Sequence, residues 1–197
     1  MNPTLNEPPV LEETVRDILD GQCPLEIEIG CGKSKFLIAR AQEHPKIHFV
    51  ATDRVLKWMK IGKTRAEKRG LQNLSFLKVE AREFLKSCVP LNRVDVFYVL
   101  FPDPWPKRRH HKRRLVREDF LRLLHDRLRS GGRINIATDH DDYFEEIKNA
   151  VHSSEVPWRK IAERVNDRSM LGFEKTNYEA KFEIRGHTLH YLELIKS

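Results

Sequence analysis

The chain reads as an α/β protein of the Rossmann-like kind, a mostly parallel sheet with helices on both faces. Three observations predict this. Short apolar runs alternate with helix-length amphipathic segments from residue 25 to residue 151, the pattern of strand–helix–strand crossovers. The run Val94-Asp95-Val96-Phe97-Tyr98-Val99-Leu100 is apolar enough to be buried on both sides, as central parallel strands are. A Gly-x-Gly turn, Gly30-Cys31-Gly32, stands where the first strand would hand over to a helix.

Each element follows in order. Residues 25–30 are the first strand, and 36–41 lie in a helix that stops before His44-Pro45. Residues 47–52 form the second strand, followed by a helix ending at Gly70. Strands three and four are predicted at 74–79 and 94–100, and a helix over 118–128. Gly131-Gly132 turns the chain into a fifth strand at 133–138. Asp139 to Asp142 offer a cap for a helix running to about Val151. Residues 158–165 and 187–195 read as strands that close the sheet.

At 197 residues the chain fits one domain with a real core. The formal charge of +7 favours an anionic partner, and the excess is concentrated between residues 107 and 117. A membrane surface would also attract that charge, but no apolar run approaches the ~18 residues of a spanning helix. The N-terminus has no basic region followed by an apolar stretch, so no secretory leader is expected. Cys23, Cys31 and Cys88 are odd in number and never closely spaced, which fits a reducing cytoplasm rather than a disulfide framework or a cysteine metal site.

The densest chemistry follows strand four, in Phe101-Pro102-Asp103-Pro104-Trp105-Pro106-Lys107-Arg108-Arg109-His110-His111-Lys112-Arg113-Arg114. Three prolines fix φ and remove amide donors, so the exit loop is stiff and cannot extend the sheet. It carries one carboxylate, Asp103, beside aromatic rings. Seven of the eleven residues from Lys107 to Arg117 are Lys or Arg. A stiff loop with an acid, a stacking ring and phosphate-seeking cations suits chemistry on a nucleobase, although such a charge run also suits a solvated face. Arg108, Arg109, Lys112, Arg113 and Arg114 are the expected contacts to RNA phosphates. His110 and His111 have no acidic or cysteine partner at ligand spacing, so no metal site is expected there.

Three acids stand at three successive strand ends, the edge where parallel sheets bind ligands. They are Glu28, Asp53 and Glu80. A dinucleotide turn would need a third glycine where Lys35 stands, which disfavours a nicotinamide cofactor. Glu-x-Gly-x-Gly instead suits a ligand with a cationic amine, such as S-adenosylmethionine. Glu28 can meet the methionine amine, Asp53 both ribose hydroxyls, and Glu80 beside Ala81 the adenine amino group. Asp53 and Glu80 also suit plain helix caps.

Taken together these features resemble the bacterial tRNA (guanine-N7)-methyltransferases. The likeness runs from about Leu25 to Tyr191 and is carried by the Pro-Asp-Pro-Trp block with its basic run, by Ala137-Thr138-Asp139, and by Thr176-Asn177-Tyr178-Glu179-Ala180-Lys181-Phe182 with Gly186. The resemblance implies a class I methyltransferase fold with a seven-stranded sheet, formed as a single domain over 1–197 with residues 1–20 as an N-terminal extension. It implies S-adenosyl-L-methionine as cofactor, tRNA as partner, no metal, and a monomer or homodimer. By position, Glu28, Gly30, Gly32, Asp53, Glu80, Ala81 and Asp103 would line the cofactor pocket, with Asp103 as catalytic acid. Lys107, Asp139, Thr176, Asn177, Tyr178 and Glu179 would contact substrate, and the segment 176–182, which follows a polar stretch ending in Gly172, suits a mobile lid. Two departures stand out: Ser34 replaces the family's usual third glycine, and Glu80 its frequent Asp. Two rival readings use the same residues: an exocyclic-amine methyltransferase, and a noncatalytic RNA-binding protein on the same scaffold.

Overall fold

The computed structural model describes residues 13–172 and 175–197. Its centre is a seven-stranded sheet of order β3-β2-β1-β4-β5-β7-β6. The strands are β1 (Leu25–Ile29), β2 (His48–Asp53), β3 (Leu74–Lys78), β4 (Val94–Leu100), β5 (Leu128–Thr138), β6 (Trp158–Val165) and β7 (His190–Lys196). The first five are parallel, and β7 inserts antiparallel between β5 and β6. The helices are α1 (Glu13–Asp20), α2 (Lys35–Glu43), α3 (Leu56–Glu67), α4 (Ala81–Ser87), α5 (Glu118–Arg127), α6 (Asp141–Ser153) and α7 (Asn177–Ile184).

Two apolar layers sandwich the sheet. Val15 and Leu19 of α1, Phe84 of α4, Phe120 of α5 and Ile147 of α6 pack with Ile27, Phe97 and Ile134 on one face. On the other, Phe36 and Leu37 of α2 and Met59 of α3 pack with Phe49, Val96 and Tyr98. Strand alternation therefore sends Leu25, Ile27 and Ile29 to the first layer, and Glu26 and Glu28 to the second. Both acids are buried on a strand covered on both sides.

Several expectations need correction. Of the N-terminal extension expected over 1–20, residues 13–20 form α1, which packs Val15 and Leu19 into the core; residues 1–12 lie outside the described residues. Gly131-Gly132 is not a turn before strand five but a bulge inside it. β5 already pairs at Leu128 with Val94, and the register shifts before Arg133. Gly131 takes φ +72° there, and a Cβ on Gly132 would come within 2.9 Å of the Arg129 carbonyl oxygen. The cap of α6 is His140, whose ring accepts from the Tyr143 amide at 3.3 Å, rather than one of the aspartates. The basic run after the proline loop folds as a 3₁₀ segment, Arg108–Arg113.

Candidate active site

The site lies at the carboxyl ends of β1, β2, β4 and β5. The chain leaves β1 through Gly30 (φ +79°), Cys31 and Gly32 (φ +52°). Both the Gly30 and Cys31 amides donate to the Thr52 carbonyl at 2.9 Å, which folds the turn against β2. A side chain on Gly30 would meet nothing within 4 Å, so that edge is open to a ligand. Ser34, also left-handed at φ +52°, precedes α2 and makes no cap with its hydroxyl. A glycine would adopt that φ without strain.

Glu28 faces a narrow cleft between this turn and α7, lined by Gly30, Cys31, Lys33, Phe36 and residues 176–178. Its carboxyl is buried, and Oε2 has no hydrogen-bond partner among the described residues. Burial, with the charge of Asp53 second, pushes its pKa up to about 8. The contrast with Glu26, two residues earlier, is informative. Glu26 receives Arg40 at 3.0 Å and the Tyr98 hydroxyl at 2.8 Å; Glu28 has no such partners and a donor-bearing cation would fit it.

Asp53 closes β2. Its Oδ2 accepts from the Gly32 amide and its Oδ1 from the Val55 amide, each at 2.8 Å. One carboxylate thus fixes the glycine turn and starts α3, and each oxygen retains a second lone pair for a hydroxyl. Glu80 realises its capping alternative: it precedes α4 and accepts from the Glu83 amide at 3.0 Å. Ala81 opens that helix.

The proline loop leaves β4 with Phe101 at φ +54° and Trp105 at φ +45°. Both are left-handed non-glycine residues, a strained state that clusters at functional sites. Asp103 between them is exposed. Phe101 packs against Phe182 of α7, ring centroids 5.7 Å apart. Trp105 is met edge-on by His110 at 5.8 Å and lies under the Arg113 guanidinium at 5.0 Å. Lys107, Arg108, Arg109, Lys112 and Arg113 are exposed.

Arg114 corrects the phosphate-contact expectation. Its side chain is fully buried, paired at 2.7 Å with both Asp142 and Glu146 of α6. A guanidinium so enclosed cannot reach a phosphate. His111, expected to lack acidic partners, stands 2.9 Å from Glu146. The partners lie in α6, out of reach of any local spacing. His111, Asp142 and Glu146 are near enough together to hold a cation, and the Arg114 guanidinium already supplies one.

The segment expected as a polar lid is instead helix α7. Thr176 and Glu179 form a capping box: the Thr176 hydroxyl accepts from the Glu179 amide at 2.9 Å, and Glu179 accepts from the Thr176 amide at 3.1 Å. Glu179, expected to contact substrate, is here engaged within the fold. Its side chain is fully buried, and Arg168 at 2.5 Å and the Tyr191 hydroxyl at 2.8 Å fill its remaining acceptors. Thr176 lines the cleft with its hydroxyl committed to the cap. Asn177 and Tyr178 are exposed, and Tyr178 lies 3.9 Å from a Cβ built on Gly32. At the end of β5, Asp139 faces His187 at 3.0 Å. The residues that sequence reasoning misses are Arg168, Tyr191, Asp142 and Glu146; only the Thr-x-x-Glu spacing of the capping box is a readable signal.

Comparison with known proteins identifies the family. The family described as "Putative methyltransferase" matches residues 22–192. A tRNA (guanine-N(7)-)-methyltransferase of Rubrobacter xylanophilus is 32% identical over 183 residues, 91% of this chain and 80% of that protein. The enzyme of the same name from Enterococcus faecalis is 35% identical over 174 residues, 86% and 79% of the two chains. That of Nitrosomonas eutropha is 40% identical over 133 residues, where the chain spans 57% of the relative. Among solved structures, the 16S rRNA methyltransferase KamB superposes with TM-score 0.69 at 18% identity, covering 96% of this chain and 95% of that one. This second likeness shows the fold alone, a class I S-adenosylmethionine-dependent methyltransferase fold. With a family model matched over residues 22–192 and relatives aligned along most of its length, the chain belongs to the tRNA (guanine-N7)-methyltransferase family.

Proposed function

We propose that this protein transfers a methyl group from S-adenosylmethionine to N7 of a guanine in the variable loop of tRNA. The observation that carries the reading is the juxtaposition at one sheet edge of a buried, under-partnered Glu28 with an exposed, proline-clamped Asp103 followed by exposed cations.

The residues fit the cofactor. Glu28 has a free buried acceptor for its amine, Gly30 leaves room for close approach, and Asp53 can accept from ribose hydroxyls. Glu80 and Ala81 would border the adenine, and Gly32 and Asp103 the remainder of the pocket. When bound, S-adenosylmethionine supplies an electrophilic methyl group on a sulfonium.

Guanine N7 already carries a lone pair on the major-groove edge. No proton has to leave before it attacks, so no strong base is required. Alignment is what helps, and it can supply about 7–11 kcal/mol. The base becomes cationic as the methyl arrives. A carboxylate fixed beside it favours that charge and accepts from guanine's donor edge; Asp103 takes this role, with Asp139 as the second reader. Asn177 and Tyr178, exposed on α7, and Lys107 contact the nucleotide. Arg108, Arg109, Lys112 and Arg113 track its phosphates. The chain acts as a monomer or homodimer in the cytoplasm, without a metal; among the described residues no helix is long and apolar enough to cross a membrane.

The test is transfer of a labelled methyl group to unmodified tRNA, with nucleoside mass spectrometry of the product. 7-Methylguanosine at the variable loop supports the reading. Methyl on an exocyclic amine would redirect it to that enzyme class. RNA binding without cofactor binding would make the chain a noncatalytic scaffold.

A further inference from the structure

We propose that Arg114 is a positioning residue that holds the Asp103 loop in its working shape through Pro104. The proposal rests on the reading of Asp103 as the catalytic carboxylate. Arg114 ends the most cationic run in the chain, yet its side chain is fully buried. Its Nε donates to the Pro104 carbonyl at 2.8 Å, and Nη2 donates to Asp142 Oδ2 at 2.7 Å. Nη1 stands 2.7 Å from Glu146 Oε2, and the guanidinium carbon 4.8 Å from the centroid of the Tyr143 ring.

Nε and Nη2 each donate a hydrogen bond, while Nη1 meets Glu146 as an ion pair without hydrogen-bond geometry; among these partners every one but Pro104 belongs to α6. The exception is the backbone of the residue directly after Asp103. At its two ends the loop is held by Phe101, whose amide donates to the Ala137 carbonyl at 2.7 Å and whose ring packs on Phe182, and by Trp105 against His110 and Arg113; the Arg114 bond acts between them, next to Asp103. Its prolines donate nothing, and Phe101 and Trp105 sit in left-handed conformations that persist only when their surroundings over-determine them. The Arg114 fork joins the loop to a rigid helix, and two further contacts hold the same stretch: His111 against Glu146 at 2.9 Å, and the Val116 amide donating to the Tyr143 hydroxyl at 2.9 Å. A planar fork can serve a carbonyl and two carboxylates at once. A lysine ammonium cannot span them.

The experiment compares Arg114→Lys and Arg114→Gln with the wild type in three readouts. These are steady-state methyl transfer to tRNA, the salt dependence of tRNA binding, and the ¹⁹F resonance of Trp105 in protein labelled with 5-fluorotryptophan, assigned by its loss in Trp105→Phe. We expect kcat to fall at least tenfold in both variants while KM for tRNA and the salt slope stay within twofold. The Trp105 resonance should broaden or split. Turnover within twofold of wild type with an unchanged Trp105 resonance overturns the proposal. So does a salt slope lowered by about 0.7–0.9, the mark of one phosphate no longer neutralised. If Arg114→Gln fails to fold, the charge-preserving Arg114→Lys decides the matter by the same three readouts. If the wild type itself methylates no tRNA, the proposed function falls, and the Trp105 resonance still decides whether Arg114 fixes the loop.

Discussion

Phe101, where β4 ends, packs its ring 5.7 Å from that of Phe182 on α7. Phe182 also stacks on His187 at 5.2 Å, and His187 reaches Asp139 at the end of β5. The loop bearing Asp103, helix α7 beside the Glu28 cleft, and Asp139 are thus joined through the rings of Phe101, Phe182 and His187. Phe182→Ala is expected to loosen all three together. It should raise KM for cofactor and tRNA both, whereas a change in either site alone would raise one; paired titrations of the two substrates check this.

Asp103→Asn should nearly abolish turnover while tRNA affinity stays within a few fold. The side chain is exposed and holds up nothing around it, so folding should be unaffected. Single-turnover methyl transfer at saturating substrate is the measurement, and retention of most of the rate would remove Asp103 from the catalytic role.

Glu28 sets a pH dependence. Its pKa in the fold is about 8, raised from an ordinary 4.5 by burial first and Asp53 second. A folded carboxyl that holds its proton longer than the unfolded one stabilises the fold fully below pH 4.5, and this contribution is lost as pH rises toward 8. Binding a cationic amine favours the ionised form, so binding releases a proton below pH 8. Cofactor affinity should therefore rise with pH, by up to about tenfold per unit, and flatten near 8. Calorimetry in buffers of different ionisation enthalpy counts the proton. Glu28→Gln should lose both the slope and about 1.5–3 kcal/mol of binding.

The cationic segment predicts a salt effect confined to its exposed members. Replacing Arg108, Arg109 and Arg113 by Ala should weaken tRNA binding and lower the slope of log K against log salt by about 0.7–0.9 for each phosphate left unneutralised. An unaltered slope would return the run to a solvated face.

Glu179→Ala should act on stability. It leaves Arg168 and Tyr191 without their shared acceptor and removes half of the α7 capping box. Breaking one side of a buried ion pair costs about 3–5 kcal/mol, which thermal unfolding would register as a clear fall in Tm. A wild-type Tm with lost methylation would restore Glu179 to the substrate.

β4 is legible in the sequence because a central parallel strand must be apolar on both faces, and it falls on the residues expected of it; β6, a largely exposed antiparallel edge strand, also falls on its expected residues, though not for that reason. Glu28 and Asp53 are legible because a strand end is fixed by its strand. Helix α7 is not: its residues, Asn-Tyr-Glu-Ala-Lys-Phe-Glu-Ile, show no apolar stripe, and Ile184 is 87% exposed. Its order comes from Glu179 binding Arg168 and Tyr191, a partnership across segments that no local periodicity records. Arg114 escapes a sequence reading for the same reason. Within its run it looks like its neighbours, and only α6, folded back over it, takes it out of solvent.

Ser34 and Gly62 have a consequence for how this family can change. Ser34 occupies a backbone conformation suited to glycine, and the helix opposite is bare at Gly62, where an added Cβ would lie 3.1 Å from the Ser34 hydroxyl and 2.8 Å from the Phe76 ring. The two positions are therefore not independent characters. The Phe76 ring is the nearer obstacle to a side chain at 62 and the Ser34 hydroxyl the second, so a lineage enlarges 62 most easily where Phe76 has given way and 34 has shrunk. In an alignment of relatives, side-chain bulk should move between the two sites, leaving the cofactor turn itself unchanged.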